Sequence, residues 1–361
     1  MPVWCVYLCI YALGTLREAD AGAKTNMLRN AQDMRALLWV AAYFVCLRWC
    51  WSDNEIRRGT CAPRVALMAY SSFACACITH NAMHARVFVQ RAHEQVLRLV
   101  LSVTYGHPVS TFVPGHNLSH HRHTQSRKDP MRTSKVRYQW HVLNVLLFQL
   151  AVTRDVFRMD MRFLNMQRRG SAHDRACFVR TCLEWCVVVM SNLGLGLLDW
   201  RRFLLYVYIP HIAAQWGIVT MNMLQHDGCD AHTPPAAVGF NTSRNFTGGL
   251  LNFLTFNNGF HTAHHLHPSM HWSLLPASHA TIAHKIHPAL NQTCMASYVF
   301  TTFVYPGVRV DYLGKQVEVP SADTDTDEDW TIHHAREDTP PGSDCSDYLA
   351  LLGRYVFSCE M

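Results

Sequence analysis

Apolar residues in this chain collect in blocks. Four of them, residues 36–51, 65–79, 181–198 and 203–223, are dominated by Leu, Val, Ile, Phe, Ala and Trp. A helix needs about 20 such residues to cross the hydrocarbon core of a bilayer, and the third and fourth blocks come close to that length. The first two are shorter. They suffice if Arg48 reaches back to the interface and if the stretch after Thr79 continues the same helix out of the membrane. Short links at residues 52–64 and 199–202 join the blocks in pairs and predict two antiparallel hairpins. Two further apolar runs, 96–105 and 142–152, are too short to span and predict interfacial helices. A block at residues 3–16 has no basic stretch before it, so it predicts an interfacial or anchoring helix rather than a signal peptide.

The expected architecture is therefore an all-α integral membrane protein, with about four core transmembrane helices in two hairpins under a helical cap. Its organisation reads as an N-terminal anchor or interfacial segment (1–35), a membrane domain (36–319) and an acidic tail (320–361). Within the tail, residues 321–347 carry Pro340, Pro341 and Gly342 and predict a linker or solvated segment; Tyr348, Leu351, Leu352 and Tyr355 then repeat at helical spacing. Charge sets the orientation. Between Ala85 and Ala176 there are 15 Arg and Lys against 5 Asp and Glu, the lopsided loop that lies in the cytoplasm. Arg201 and Arg202, on the opposite side, run against that rule. A mean hydropathy of -0.02 excludes a chain made only of spans, and the apolar blocks argue against disorder. Nothing in the charge pattern points to nucleic acid as a partner.

Fourteen cysteines contain no CxxC pair and lie mostly inside apolar blocks. Such residues behave as small hydrophobes, and free thiols in a reducing compartment are expected. Histidine is the anomaly, at 23 of 361 residues. Three clusters stand beside apolar blocks: His80-Asn-Ala-Met-His84, His116-Asn-Leu-Ser-His120-His121 and His261-Thr-Ala-His264-His265. Spacings of three and four place side chains on one helix face, so each cluster offers two or three imidazoles toward one point. Eight converging nitrogens exceed what one tetrahedral zinc uses, and two metal ions are the natural count. Asn222-Met-Leu-Gln-His226 closes the last block and adds a ninth imidazole on the same membrane face. His211, fifteen residues earlier, stands about 22 Å away along a helix and cannot share that metal.

With those boxes and their surroundings (Tyr105-Gly-His-Pro, Pro114-Gly-His-Asn-Leu-Ser-His-His, Asn222-Met-Leu-Gln-His-Asp-Gly, Asn257-Asn-Gly-Phe-His-Thr-Ala-His-His-Leu-His-Pro) the chain resembles the membrane fatty acid desaturase superfamily over roughly residues 36–288. The resemblance implies a non-haem di-iron oxygenase on the cytosolic face, in the endoplasmic reticulum if the source is eukaryotic and otherwise in the cytoplasmic membrane. Its two irons would be held by His80, His84, His116, His120, His121, His226, His261, His264 and His265. Dioxygen would be co-substrate and a lipid or acyl chain the substrate. Box one has three residues between its histidines where acyl-CoA desaturases usually have four, and box two is HxxxHH where HxxHH is commoner. No His-Pro-Gly-Gly haem signature occurs, so electrons are expected from a separate cytochrome b5 or ferredoxin.

HExxH protease chemistry is disfavoured because Asn81 stands where its Glu would be. Metal-bound imidazoles need acceptors on their other ring nitrogen; Asp227, Asn81, Asn117 and Asp129 are the candidates, with Asp227 favoured because it adjoins His226. Glu184, an acid near a span, is expected to pair with Arg180 one turn earlier. Two other functions stay open at this point. One is a hydroxylase or ketolase of fatty acids, sphingolipids or carotenoids on the same scaffold. The other, a histidine-rich metal transporter, fits less well because the clusters gather at span ends.

Overall fold

The computed structural model describes residues 27–52, 59–233, 239–319 and 327–330. The apolar block at residues 3–16 of the expected N-terminal segment and the Tyr348 to Tyr355 helix lie outside them. Helices dominate. Each of the four apolar blocks is helical: the first three fall within α1 (Asp33–Trp51), α2 (Ala62–His84) and α5 (Ala172–Leu198), and the fourth begins in the helical turns just before α6 (Ile209–His226) and ends within it. Between the pairs lie α3 (Arg91–Tyr105) and α4 (Val142–Arg169). Two short helices, α7 (His261–Leu266) and α8 (Leu275–Ile282), follow, with a parallel two-residue pairing of β1 (Asn245–Phe246) on β2 (Asn291–Gln292).

Three helical stretches are long and apolar enough to cross a membrane: Asp33–Trp51, Ala172–Leu198 and the continuous run Trp200–His226. The second expected span lies inside α2, which packs against α1, α3 and α6. Because neighbours enclose it, α2 tolerates polar groups that lipid would not. Ser71 Oγ donates to the Leu67 carbonyl at 2.8 Å, and Ser72 Oγ to the Thr104 carbonyl at 2.7 Å. Such pairing removes the cost of burying a hydroxyl.

The two predicted hairpins differ. Helices α1 and α2 pack on each other, whereas α5 packs mainly on α3 and α4, and α6 mainly on α2 and α4. The break between α5 and the next helix is tight, with Asp199 accepting hydrogen bonds from the Arg201 and Arg202 amides. Pro210 explains the irregular start of the last span. It has no amide proton to donate, and the helix ahead of it widens into a π turn over Leu204–Tyr208.

One expected cap helix is longer than its apolar run. Residues 142–152 open a helix that continues to Arg169, because after Val152 the pattern becomes amphipathic rather than ending. Leu146, Leu150, Phe157 and Met161 form an exposed apolar stripe along it, the pattern of a helix lying at an interface. Gly170 and a Ser171–Asp174 capping box separate it from α5. Helix α3 ends on Gly106 at φ 75. A Cβ there would run into the His211 ring, itself held by the Tyr43 hydroxyl at 3.1 Å.

Part of the acidic tail is docked rather than solvated. Asp327 bonds Arg132 and, at 2.9 Å, Lys135; Asp329 bonds Arg162 at 3.1 Å; the Trp330 ring nitrogen donates to Met159 Sδ at 3.2 Å. The basic stretch that the charge count singled out thus attracts the chain's own acids. Cysteine also departs from expectation at one position. Cys177 is disulfide-bonded, while nine other described cysteines are free thiols. Pairing depends on proximity in space, which spacing along the chain does not reveal.

Candidate metal centre

Nine histidines converge at one end of the helices. They divide into two groups, His80, His84, His116, His121 and His264 in one, and His120, His226, His261 and His265 in the other, with ligating atoms within 4.8 Å of one another in each. Local helix geometry makes the division. His80 and His84 share a face of α2 at i, i+4, and His261 and His265 do the same on α7, while His264 points into the other group. Box two lies on a π-helix, Val113–His120, that runs into a single α turn. With the wider π turn, His116 and His121 at i, i+5 fall together, their Nε2 atoms 3.1 Å apart. His120 turns to the second group.

The orienting partners fix which nitrogen is bare. His120 Nδ1 donates to Asp129 Oδ2 at 2.8 Å, and both residues are wholly buried. Burial opposes ionisation of Asp129. The His120 ring, with amides of Met131 and Gln125, outweighs it and holds the carboxyl below its ordinary value. His226 Nδ1 donates to the Thr242 carbonyl at 2.9 Å. His80 Nδ1 donates to Asn258 Oδ1 at 2.6 Å, and Asn258 is oriented by its own donation to the Thr255 carbonyl. In each case the acceptor takes the Nδ1 proton, so a neutral ring presents a lone pair at Nε2.

Those lone pairs face each other. His120 Nε2 lies 3.1 Å from His226 Nε2, and in the neutral tautomers that the Nδ1 acceptors select neither carries a proton to share. Contact between two bare nitrogens is repulsive unless a cation sits between or beside them. Burial, reinforced by the neighbouring rings, also pushes His116, His121, His261, His264 and His265 well below the ordinary imidazole value. Protons are therefore disfavoured at these five rings, and the donor set of nine imidazoles fits two metal ions.

Of the four expected acceptors, Asp129 faces an imidazole. Asp227 instead bonds Arg309 through both carboxylate oxygens, with Nε to Oδ2 at 3.1 Å. Asn81 donates to the Phe256 carbonyl at 3.3 Å and Asn117 to the Met83 carbonyl at 3.1 Å. Sequence reading missed Asn258 and Thr242, whose closeness to His80 and His226 is tertiary; the Asn257-Asn-Gly-Phe-His context contained Asn258 without marking its role. Around box three, Asn245 Oδ1 accepts the Thr262 amide at 2.9 Å and Asn245 Nδ2 donates to Thr262 Oγ1 at 2.9 Å, which fixes the register of α7. Glu184 accepts the amide and hydroxyl of Ser110, both at 2.8 Å, and Arg180 donates to that hydroxyl at 3.1 Å, so the expected neighbours meet through a shared serine.

A cavity of about 200 Å³ adjoins the centre, with His80, His116 and His261 in its wall. It continues between α4 and α6 past Val152, Val156, Ile218 and Val219. Residues 60–294 match the family described as fatty acid desaturase. No curated protein matches the chain. The match spans all three histidine boxes and His226 and covers more than half of the sequence, and the chain belongs to the fatty acid desaturase family.

Proposed function

We propose that this chain is a multi-pass membrane lipid desaturase that uses dioxygen and two externally supplied electrons to convert a –CH2–CH2– unit of an acyl chain to –CH=CH–. The balance takes up two protons as well, and dioxygen leaves as two waters. The opposed lone pairs of His120 and His226 carry the reading, since they call for a cation beside His261, which stands in the cavity wall. Iron held by the nine histidines would supply the redox chemistry that an unactivated C–H bond demands and that zinc lacks. The protein's own part is positional. Asp129, Thr242 and Asn258 aim the Nε2 lone pairs, and Val152, Val156, Ile218 and Val219 give the acyl chain an apolar wall free of competing protons.

The test is lipid profiling after expression in a desaturase-deficient host, paired with metal analysis of anaerobically purified protein. New double bonds and about two irons per chain, one for each histidine group, are expected. Hydroxylated or keto products would move the assignment to the sister chemistry, and a single zinc per chain would end it. Purified protein should turn over with an added cytochrome b5 or ferredoxin and its reductase. Activity with NAD(P)H and oxygen alone would contradict the external donor.

The histidine-bearing end is assigned to the cytosolic face. From Arg201 to His226 the helix runs about 38 Å at 1.5 Å per residue, more than the roughly 30 Å hydrocarbon core. Single-cysteine labels at Arg201 and Ala277, both exposed, should react from opposite sides of sealed vesicles, Ala277 from the cytosolic side. Labelling of both from one side would remove the span.

A further inference from the structure

Six acidic side chains are buried among the described residues: Asp33, Glu94, Asp129, Asp160, Glu184 and Asp227. Five have partners. Asp33 accepts from His271 and the Trp272 ring nitrogen, Glu94 from the amides of Val87 and Phe88, Asp129 from His120, Glu184 from Ser110, and Asp227 from Arg309. Asp160 is the exception. It is 4% exposed, its Oδ1 has no hydrogen-bond partner, and no ion pair reaches it among the described residues. An unpaired carboxyl is costly to bury, by several kcal/mol for the ion.

Its location gives the cost a use. Asp160 lies on α4 one turn beyond Val156, in the wall of the same cavity that meets His80, His116 and His261. The wall also carries Tyr105, Thr111, Gln149, Thr153, Gln215 and Asn222, the last with both amide atoms buried and unpartnered, so more than one polar group is available to a ligand head, and Asp160 is the acidic one among them. A plain hydrocarbon chain leaves Asp160 unsatisfied. A carboxylate head would bring a second acidic group and a net negative charge into the same buried wall, whereas a hydroxyl or amino group can donate to Asp160.

We infer that Asp160 is a substrate-recognition residue, and that the cavity takes a long-chain lipid bearing a hydroxyl or amino group which donates a hydrogen bond to its carboxyl. Burial pushes this carboxyl well above its ordinary value in the free protein, so an alcohol meets the acid form as donor or acceptor, while an ammonium head restores the carboxylate by pairing with it. The inference rests on the cavity being the lipid site of the proposed desaturase, so it is tested by binding, which needs no turnover.

Purified metal-loaded protein in nanodiscs would be titrated with octadecanol, octadecylamine and octadecanoate, with binding read by competition against a fluorescent long-chain alcohol. Wild type should bind the alcohol or the amine at least about tenfold more tightly than the carboxylate, the scale of a hydrogen bond to a charged or strongly polar group. Asp160→Leu should erase that preference without loss of bound metal. Asp160→Asn should keep the alcohol and weaken the amine. Which of the two heads binds more tightly in wild type identifies its chemistry. Equal binding of all three chains by wild type, or an unchanged preference in Asp160→Leu, would overturn the assignment. A chain that binds with the expected preference but is never desaturated would leave recognition standing and sink the proposed reaction instead.

Discussion

His226→Ala is expected to abolish turnover and to lower bound metal from about two ions per chain to about one, while His211→Ala, on the same helix, retains substantial activity and both metals. His226 supplies Nε2 to the second group, 3.1 Å from His120 Nε2 and 3.0 Å from His261 Nε2, and its ring is locked by Thr242. Removing it leaves three imidazoles around that position. His211 stands about 22 Å down the helix axis, where its Nε2 meets the Tyr43 hydroxyl. Metal analysis and lipid turnover at matched expression decide between them. Equal loss of activity and metal in both variants would show that the second group is not a metal site of its own.

Asp129→Asn should lower metal affinity by about 10- to 100-fold, the usual cost of losing the partner that orients a ligating imidazole. The carboxylate holds three donors at once: His120 Nδ1, the Gln125 amide and the Met131 amide. An asparagine has one oxygen for those three and turns an NH2 toward at least one of them. If that NH2 faces His120 Nδ1, the ring proton is driven to Nε2, where a metal has to bind. Competitive chelation measures the affinity, with melting temperature followed alongside. A variant that loses stability yet binds metal as tightly as wild type would place Asp129 in the loop architecture alone.

Sequence pattern exposed the histidines because three- and four-residue spacings map onto one helix face before any tertiary contact exists. It did not reveal their division into five and four, since that depends on the π-helix at Val113–His120 and on α7 presenting His264 and His265 in different directions. The same limit governs the orienting partners. Asn81 and Asn117 each follow a ligand histidine by one residue on a helix, where consecutive side chains point well apart, and Asp227 follows His226 in extended backbone just past the end of α6. Their side chains therefore serve Phe256, Met83 and Arg309. Asp129, nine residues from His120, returns through a turn that short-range spacing does not encode. The four apolar blocks were legible as helices. The full reach of α4 was less so, because beyond Val152 its buried positions Met159, Phe163 and Gln167 are interleaved with Arg154, Arg158 and Arg162.

The π-helix also changes what the spacing of box two measures. A metal centre fixes where nitrogen atoms stand in ångströms, and the number of residues between them follows from the pitch of the backbone that carries them. A wider turn absorbs the additional residue of HxxxHH while His116 and His121 still meet at 3.1 Å. One-residue insertions inside such a box are thus compatible with an unchanged ligand geometry. A pattern search that counts letters between histidines sorts chains by helical pitch before it sorts them by chemistry.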